Sequence, residues 1–386
     1  MKTNYLSLYV HIPFCASKCH YCDFLSGPDY QKYKEEYIEA LCREIHLRAS
    51  EMKEEEKITD TVFFGGGTPS LLEPVEITRI MEELRKEFSL LPWSEISLEM
   101  NPDSVTPIKL AAYKELGINR LSMGLQSADN RELRRLGRIH TWENFLEAWW
   151  MVQKAGFFNV NIDLMSGLPG QTLKSYRDSL EKILALKPQH ISAYSLILEE
   201  GTKFEMWYGE KGSKEQELPT EDVDRKMYQM TKIMLKEKGY ERYEISNYSL
   251  KNYECKHNEG YWTGKPYLGL GLGSSSYLRN KRFQNENNMK QYLEQIEAGR
   301  LSEAEGKILG KQEQMEEFMF LGLRRMKGVN EEEFYHRFQV TMKEVYEEKL
   351  KKLERQKLLL YDEKQGNWKL TELGIDVSNR VFVEFM

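Results

Sequence analysis

The chain has 386 residues, of which 40% are apolar and 30% charged, with five cysteines and a formal net charge of −6. That is enough sequence for two or three domains around sizeable cores. The acidic balance argues against a nucleic-acid partner, and no apolar run approaches the ~20 residues of a membrane span.

The opening stretch MKTNYLSLYV has neither the sustained apolar segment nor the small-residue cleavage site of a secretory signal. We therefore expect a cytoplasmic protein with reduced thiols and no disulfide framework. LSLYVHI (6–12) reads as a first strand and runs into HIPFCASKCHYCDF (11–24). Cys15, Cys19 and Cys22 fall there at C-x3-C-x2-C spacing, so thiolates on one loop can turn toward one centre. A structural zinc site takes four ligands, usually as two distant pairs, and His11 and His20 stand in the wrong rhythm for a finger. A [4Fe–4S] cube takes thiolates, and three of them leave one iron open to a small molecule. The spacing favours the cluster; zinc and unrelated buried thiols are the other two readings.

Further β-branched runs follow at regular intervals: TVFFGG (61–66), EISLEM (95–100), RLSMGLQ (120–126), NVNIDLMSG (159–167) and HISAYSLIL (190–198). Helical patterns separate them, such as EPVEITRIMEELRKEF with Pro74 early in the helix and TWENFLEAWWMVQKAG ending on Gly156. Alternation of this kind predicts a parallel α/β sheet, open or curled into a barrel, with its sites at the carboxyl ends of the strands. Successive strand ends then carry the cysteine loop, the bare backbone of GGGTP (65–69), Glu99, Gln126 and Asp163.

On these residues the chain resembles the radical S-adenosylmethionine (SAM) superfamily: the three cysteines match its cluster motif and Gly65–Pro69 its glycine motif. The resemblance implies a partial (β/α)6 barrel whose [4Fe–4S] cluster binds the amino and carboxylate groups of SAM at its open iron. Over nearly the whole chain it is similar to the oxygen-independent coproporphyrinogen III oxidase family, through YVHIPFC, FFGGGTPS, LSMGLQS, NIDLMSGLPGQT, LPTEDVDRKMY and GYERYEISNYS. By that resemblance Tyr9, Gly66, Gly67, Thr68, Glu99, Gln126, Arg138 and Asp163 are SAM-pocket positions, with Arg138 meeting a ligand carboxylate and Tyr21 covering the adenine.

The family contains dehydrogenases and a haem-chaperone branch, the HemW type. Three features point to the second. Phe24 stands where bacterial dehydrogenases carry a further cysteine, residue 15 is already the first cluster cysteine, and HNEGYW (257–262) matches the HNxxYW signature of the haem-binding branch. His257 is then the expected haem ligand, with Tyr261 and Trp262 offering flat faces to the porphyrin. Cys42 and Cys255 read as ordinary thiols. LGLGLGSSSY lacks GxGxxG spacing and is no dinucleotide loop, and Ser274 and Ser275 stand where family members often show Ala-His.

The resemblance implies a binding protein that passes haem to an apo-haemoprotein, with an electron donor for the cluster and peripheral membrane contact left open. An oxygen-independent coproporphyrinogen III dehydrogenase or a radical methyltransferase is the enzymatic alternative. Past residue ~300 charged helices and a short hairpin resemble the small winged-helix-like α+β domain of the family. The expected division is a core barrel at 1–240, an extension carrying the haem motif at 241–300 and the C-terminal domain at 301–386.

Overall fold

The barrel strands obey a period of two. In β1 (Leu6–Ile12), Leu6, Leu8, Val10 and Ile12 belong to the main apolar core, while Ser7, Tyr9 and His11 take the opposite face. The same alternation sets Thr61 and Phe63 of β2 (Ile58–Gly66), Glu95 and Glu99 of β3 (Ser89–Met100), and Arg120 and Ser122 of β4 (Arg120–Gln126) against apolar neighbours that enter the core. It continues with Asn161 and Asp163 of β5 (Val160–Ser166) and His190 and Ser192 of β6 (His190–Ser195). Each strand thus has an apolar face that packs under helices and a polar face that lines an interior.

The computed structural model describes residues 5–386. β1 to β6 pair in sequence order and all in parallel, as expected from the alternation of strands and helices. The connecting helices include Pro74–Glu87, with proline in its first turn, and Trp142–Lys154, capped by Thr141 accepting from the Asn144 N–H. Gly156 follows the second at φ 76°, a left-handed backbone that glycine adopts without a Cβ penalty.

Both edges of the sheet are extended by later sequence. β8 (Asn247–Ser249) pairs antiparallel with β6, and β7 (Glu241–Arg242) pairs antiparallel with β8 at the edge. The helix Lys256–Trp262 then carries the chain to the far edge, where β9 (Tyr267–Leu270) pairs in parallel with β1. β10 (Ser275–Leu278), β11 (Lys281–Asn285) and β12 (Glu303–Ile308) complete a 12-stranded sheet. The segment 241–300 is therefore shared between two edges, and the sheet continues to Ile308.

A second apolar core gathers Met315, Leu323, Phe334, Phe338, Tyr346, Leu350 and Phe385. Around it lie the helices Glu331–Phe338 and Met342–Arg355 and a three-stranded sheet of β13 (Val329–Asn330), β14 (Leu359–Asp362) and β15 (Asn367–Leu370). Helix, helix and hairpin follow in the order of a winged-helix-like unit. Among the described residues no helix is long and apolar enough to cross a membrane.

Candidate cluster and ligand site

The cysteine loop leaves β1 and closes on itself. The Cys15 N–H donates to the Gly27 carbonyl at 3.3 Å, and the Gly27 N–H to that of Pro13 at 2.9 Å. The glycine loop after β2 is tied to it: the Gly67 and Thr68 N–H groups donate to Ile12 and Phe14, each at 2.8 Å. Cys15, Cys19 and Cys22 are all free thiols. They line one cavity of ≈ 130 Å³ together with Gly66, Gly67, Thr68, Glu99, Gln126, Arg138 and Asp163. The sulfurs are not all within 4.8 Å of one another. Zn–S bonds of ~2.3 Å would draw three thiolates closer than that, so the donor set suits a multi-iron cluster better than one ion.

Two glycines in the second loop answer different demands. At Gly66 φ is 107°, and a Cβ would stand 2.5 Å from His11 Nδ1. At Gly67 a Cβ would meet the carbonyl oxygens of Phe14 and Ile12 at 2.7 and 2.8 Å. His11 itself is buried: Nε2 donates to Leu25 O at 2.9 Å and Nδ1 accepts from the Tyr9 hydroxyl at 3.1 Å. Gln126 ends β4 at φ 71°, beside a register shift between Gly124 and Gln126 that turns its side chain to the cavity.

Arg138 is already committed. Its Nη1 donates to Cys19 Sγ at 3.6 Å, and its Nη2 to Asn101 Oδ1 at 2.8 Å and to the Gly124 carbonyl. Its charge thus sits against a cluster cysteine, in the same cavity as the other expected SAM-pocket residues. Asn101 also donates to Thr68 Oγ1 at 2.9 Å, and Thr68 Oγ1 faces Cys15 Sγ at 3.8 Å. One polar chain therefore links two of the three cysteines. Burial pushes the Cys22 thiol up.

Deeper in the barrel lies a second cavity of ≈ 490 Å³, which shares Tyr21, Cys22, Phe24, Glu99, Ser122, Gln126 and Asp163 with the first. Glu99 stands between them and accepts from the Gly66 N–H at 3.2 Å. Burial first, and the neighbouring Asp163 second, push its carboxyl up to about 8. Burial also raises Asp163, although Asn161 Nδ2 donates to it at 2.7 Å. Tyr9 lines this wall. The open mouth carries exposed apolar side chains, Phe24 at 59%, Tyr194 at 40% and Ile197 at 68% exposure, beside Asp23, Ser195 and Glu199.

His257 and Tyr261 line the same cavity from the helix Lys256–Trp262. Glu95 caps that helix, accepting from the N–H groups of Lys256 and His257, each at 3.1 Å. The imidazole stacks on Phe63 at 5.1 Å between centroids. Thr61 donates to Ser7, so its oxygen accepts from His257 Nδ1 at 2.9 Å, and Nε2 accepts from the Tyr261 hydroxyl at 2.9 Å. Burial lowers the imidazole to about 3, with Lys265 and Arg120 adding to the effect. Trp262 does not join them. It is five residues from His257, about 140° around the helix, whereas Tyr261 is one turn on. The Arg324 guanidinium covers its ring at 4.5 Å, toward the C-terminal unit. Of the two aromatic faces expected against the porphyrin, Tyr261 lines this cavity and Trp262 does not.

Comparison with known proteins decides the family. The profile of the Radical SAM superfamily matches residues 9–183, and that of the HemN C-terminal domain matches 309–377. The heme chaperone HemW of Lactococcus lactis subsp. lactis is 36% identical over 380 residues, covering 98% of this chain and 97% of that protein. The chain belongs to the HemW family of radical SAM proteins. The Bacillus subtilis HemW is 33% identical, covering 98% of this chain and 99% of that one; the Escherichia coli HemW is 35% identical over 71% of this chain and 70% of its own. Coproporphyrinogen III oxidase (HemN) from Escherichia coli shares the fold, with a TM-score of 0.86 and 24% identity over 99% of this chain and 90% of that one. Membership of the superfamily brings a [4Fe–4S] cluster and SAM as cofactors, and the three thiols fit the first.

Within this HemW-family barrel, strand-end reasoning reached Glu99, Gln126 and Asp163 but missed Asn101, Arg120, Asn161 and Ser192. The last three line the larger cavity. The signal was present: R-L-S, N-I-D and H-I-S each alternate polar and apolar, which in a helix-covered sheet marks an interior polar face.

Proposed function

We propose that this protein binds haem and hands it to an acceptor haemoprotein, acting as a chaperone on a radical SAM scaffold. The observation that carries the reading is the full-length likeness to proteins named heme chaperone HemW. An open cavity beside the cysteine pocket, with Phe24, Tyr194 and Ile197 exposed at its mouth and large enough for a cofactor-sized ligand, supports it. Phe24 at that mouth, where dehydrogenases of the resembled family carry a cysteine, sets the chain apart from the enzymatic alternative.

In this reading Cys15, Cys19 and Cys22 hold the cluster. Bound there, it supplies one-electron chemistry and one open position for SAM, with an electron donor as a further partner. Gly66 and Gly67 let backbone approach the methionyl end, and Thr68, Glu99, Gln126, Asp163, Tyr9 and Tyr21 line the rest of the pocket. Glu99, raised to about 8, keeps its proton at neutral pH and so offers the ligand a donor as well as an acceptor. Arg138 places its charge against Cys19 Sγ at the edge of the pocket. His257 provides a nitrogen to haem iron through Nε2 once Tyr261 releases it, and the Tyr261 ring borders the macrocycle.

The test is transfer. Reconstituted protein is loaded with haem, separated from free haem, and mixed with an apo-cytochrome, and the acceptor's Soret band is followed. Transfer faster than from haem–albumin is the expected result. Absence of stoichiometric haem binding, or protoporphyrinogen formation from coproporphyrinogen III with SAM and reductant, would overturn the reading.

A further inference from the structure

Arg120 opens β4 and is only 2% exposed, yet it lines the ≈ 490 Å³ cavity. Its Nε has no hydrogen-bond partner. Among the described residues it enters no ion pair. A buried guanidinium in this state is costly unless something pairs with it.

The acceptors around it are engaged elsewhere. Glu95 accepts from two backbone N–H groups and from the Cys255 thiol at 3.6 Å. Burial pushes that thiol up to about 12, so it stays protonated. The Tyr243 hydroxyl is shared by His190 Nε2 at 2.8 Å and the Cys255 N–H at 3.3 Å. Asp163 accepts from Asn161 Nδ2 at 2.7 Å and from Ser122 Oγ at 3.5 Å. The cavity is therefore amphipathic. Its mouth carries Phe24, Tyr194 and Ile197, and its wall carries a cation with unused donors beside Ser122, Asn161 and Ser192.

We infer that Arg120 receives a carboxylate of the cavity's ligand, a propionate side chain of the tetrapyrrole, so that the charged edge enters and the apolar macrocycle faces the mouth. The inference rests on the haem-binding reading of the same cavity. A planar guanidinium matches a carboxylate with two parallel N–H···O bonds, and a desolvated site strengthens both. SAM also carries a carboxylate, and the experiment separates the two sources.

Ferric protoporphyrin IX and its dimethyl ester are titrated into the full-length reconstituted protein, wild type, Arg120→Gln and Arg120→Lys, and read at the Soret band. Thermal melting and cluster absorbance verify that each variant is folded. Wild type is expected to prefer the free acid to the ester. Arg120→Gln should lose about ten- to a hundred-fold in affinity for the acid and little for the ester, with Arg120→Lys in between. SAM affinity, read from the reduced cluster's electron paramagnetic resonance spectrum, should be unchanged. Equal wild-type affinity for acid and ester, or equal losses of both in a folded Arg120→Gln, would overturn the inference while leaving haem binding standing. Loss of SAM affinity with porphyrin preference intact would overturn it in favour of the other carboxylate. A wild type that binds neither porphyrin overturns both this inference and the haem reading.

Discussion

His257 Nε2 lies 2.9 Å from the Tyr261 hydroxyl, one helical turn away. Because Nδ1 donates to Thr61, Nε2 carries the lone pair that a metal would use, and Tyr261 occupies it. Haem ligation by His257 thus competes with a hydrogen bond inside the same helix. Tyr261→Phe removes the competitor and should tighten ferric haem binding about fivefold, the worth of one net hydrogen bond. His257→Ala should weaken it. Equal weakening in both variants would show that the phenol itself holds the ligand.

The cluster assignment predicts a sharp division among the five cysteines. Alanine at Cys15, Cys19 or Cys22 should abolish or badly damage the [4Fe–4S] absorbance, because two thiolates hold a cube poorly. Alanine at half-buried Cys42 or buried Cys255 should leave it intact. A cluster that survives loss of Cys19 but not of Cys255 would show that the wrong ligands have been chosen.

Arg138 places a buried cation against Cys19 Sγ. A positive charge there stabilises the reduced, more negative cluster. Arg138→Gln should therefore move the reduction midpoint to more negative potential, measured by redox titration with electron paramagnetic resonance detection. A midpoint that stays put or rises would remove Arg138 from the cluster's surroundings.

Gly66→Ala forces a Cβ against the His11 ring and a side chain onto a backbone at φ 107°. A cost of about 3 kcal/mol in urea unfolding is expected from overpacking and strain together. His11→Ala should relieve the first contribution but not the second, so the double variant should be more stable than the sum of the singles predicts. Strict additivity would contradict the contact.

Burial keeps four imidazoles neutral in the fold: His11 is lowered to about 4, His140 and His257 to about 3, and His190 well below its ordinary range. Unfolded, each titrates near ~6.5, so the unfolded chain binds more protons below that pH. Their contribution is fully present above pH 6.5 and is lost as pH falls toward 4. Glu99, raised to about 8, works in the opposite direction between its ordinary 4.5 and 8, as do the raised carboxyls of Asp163 and Glu244, so three carboxyls oppose four imidazoles. The urea midpoint should fall between pH 6.5 and 5, and less steeply in His257→Gln. A midpoint that rises on acidification in this range would overturn the assignment.

The features legible in the sequence were those carried by neighbours along the chain. C-x3-C-x2-C spacing, the glycines after β2 and the strand–helix alternation depend on covalent distance and local backbone preference, so they predicted the loop, the barrel and the rim positions. Partner choice was not legible. Arg138 reaches Cys19 across 119 residues of sequence and His257 reaches Thr61 across 196, and both contacts follow from sheet register and the path of the Lys256–Trp262 helix. Only that register made Arg138 a neighbour of the cluster cysteine, and only that path engaged both nitrogens of His257. Trp262 lay between: helix periodicity already separated it from His257, but a motif read as a string of letters carries no angle. Arg120 was hidden for a related reason, since an arginine at a strand start reads as solvated until the tertiary fold closes a cavity around it.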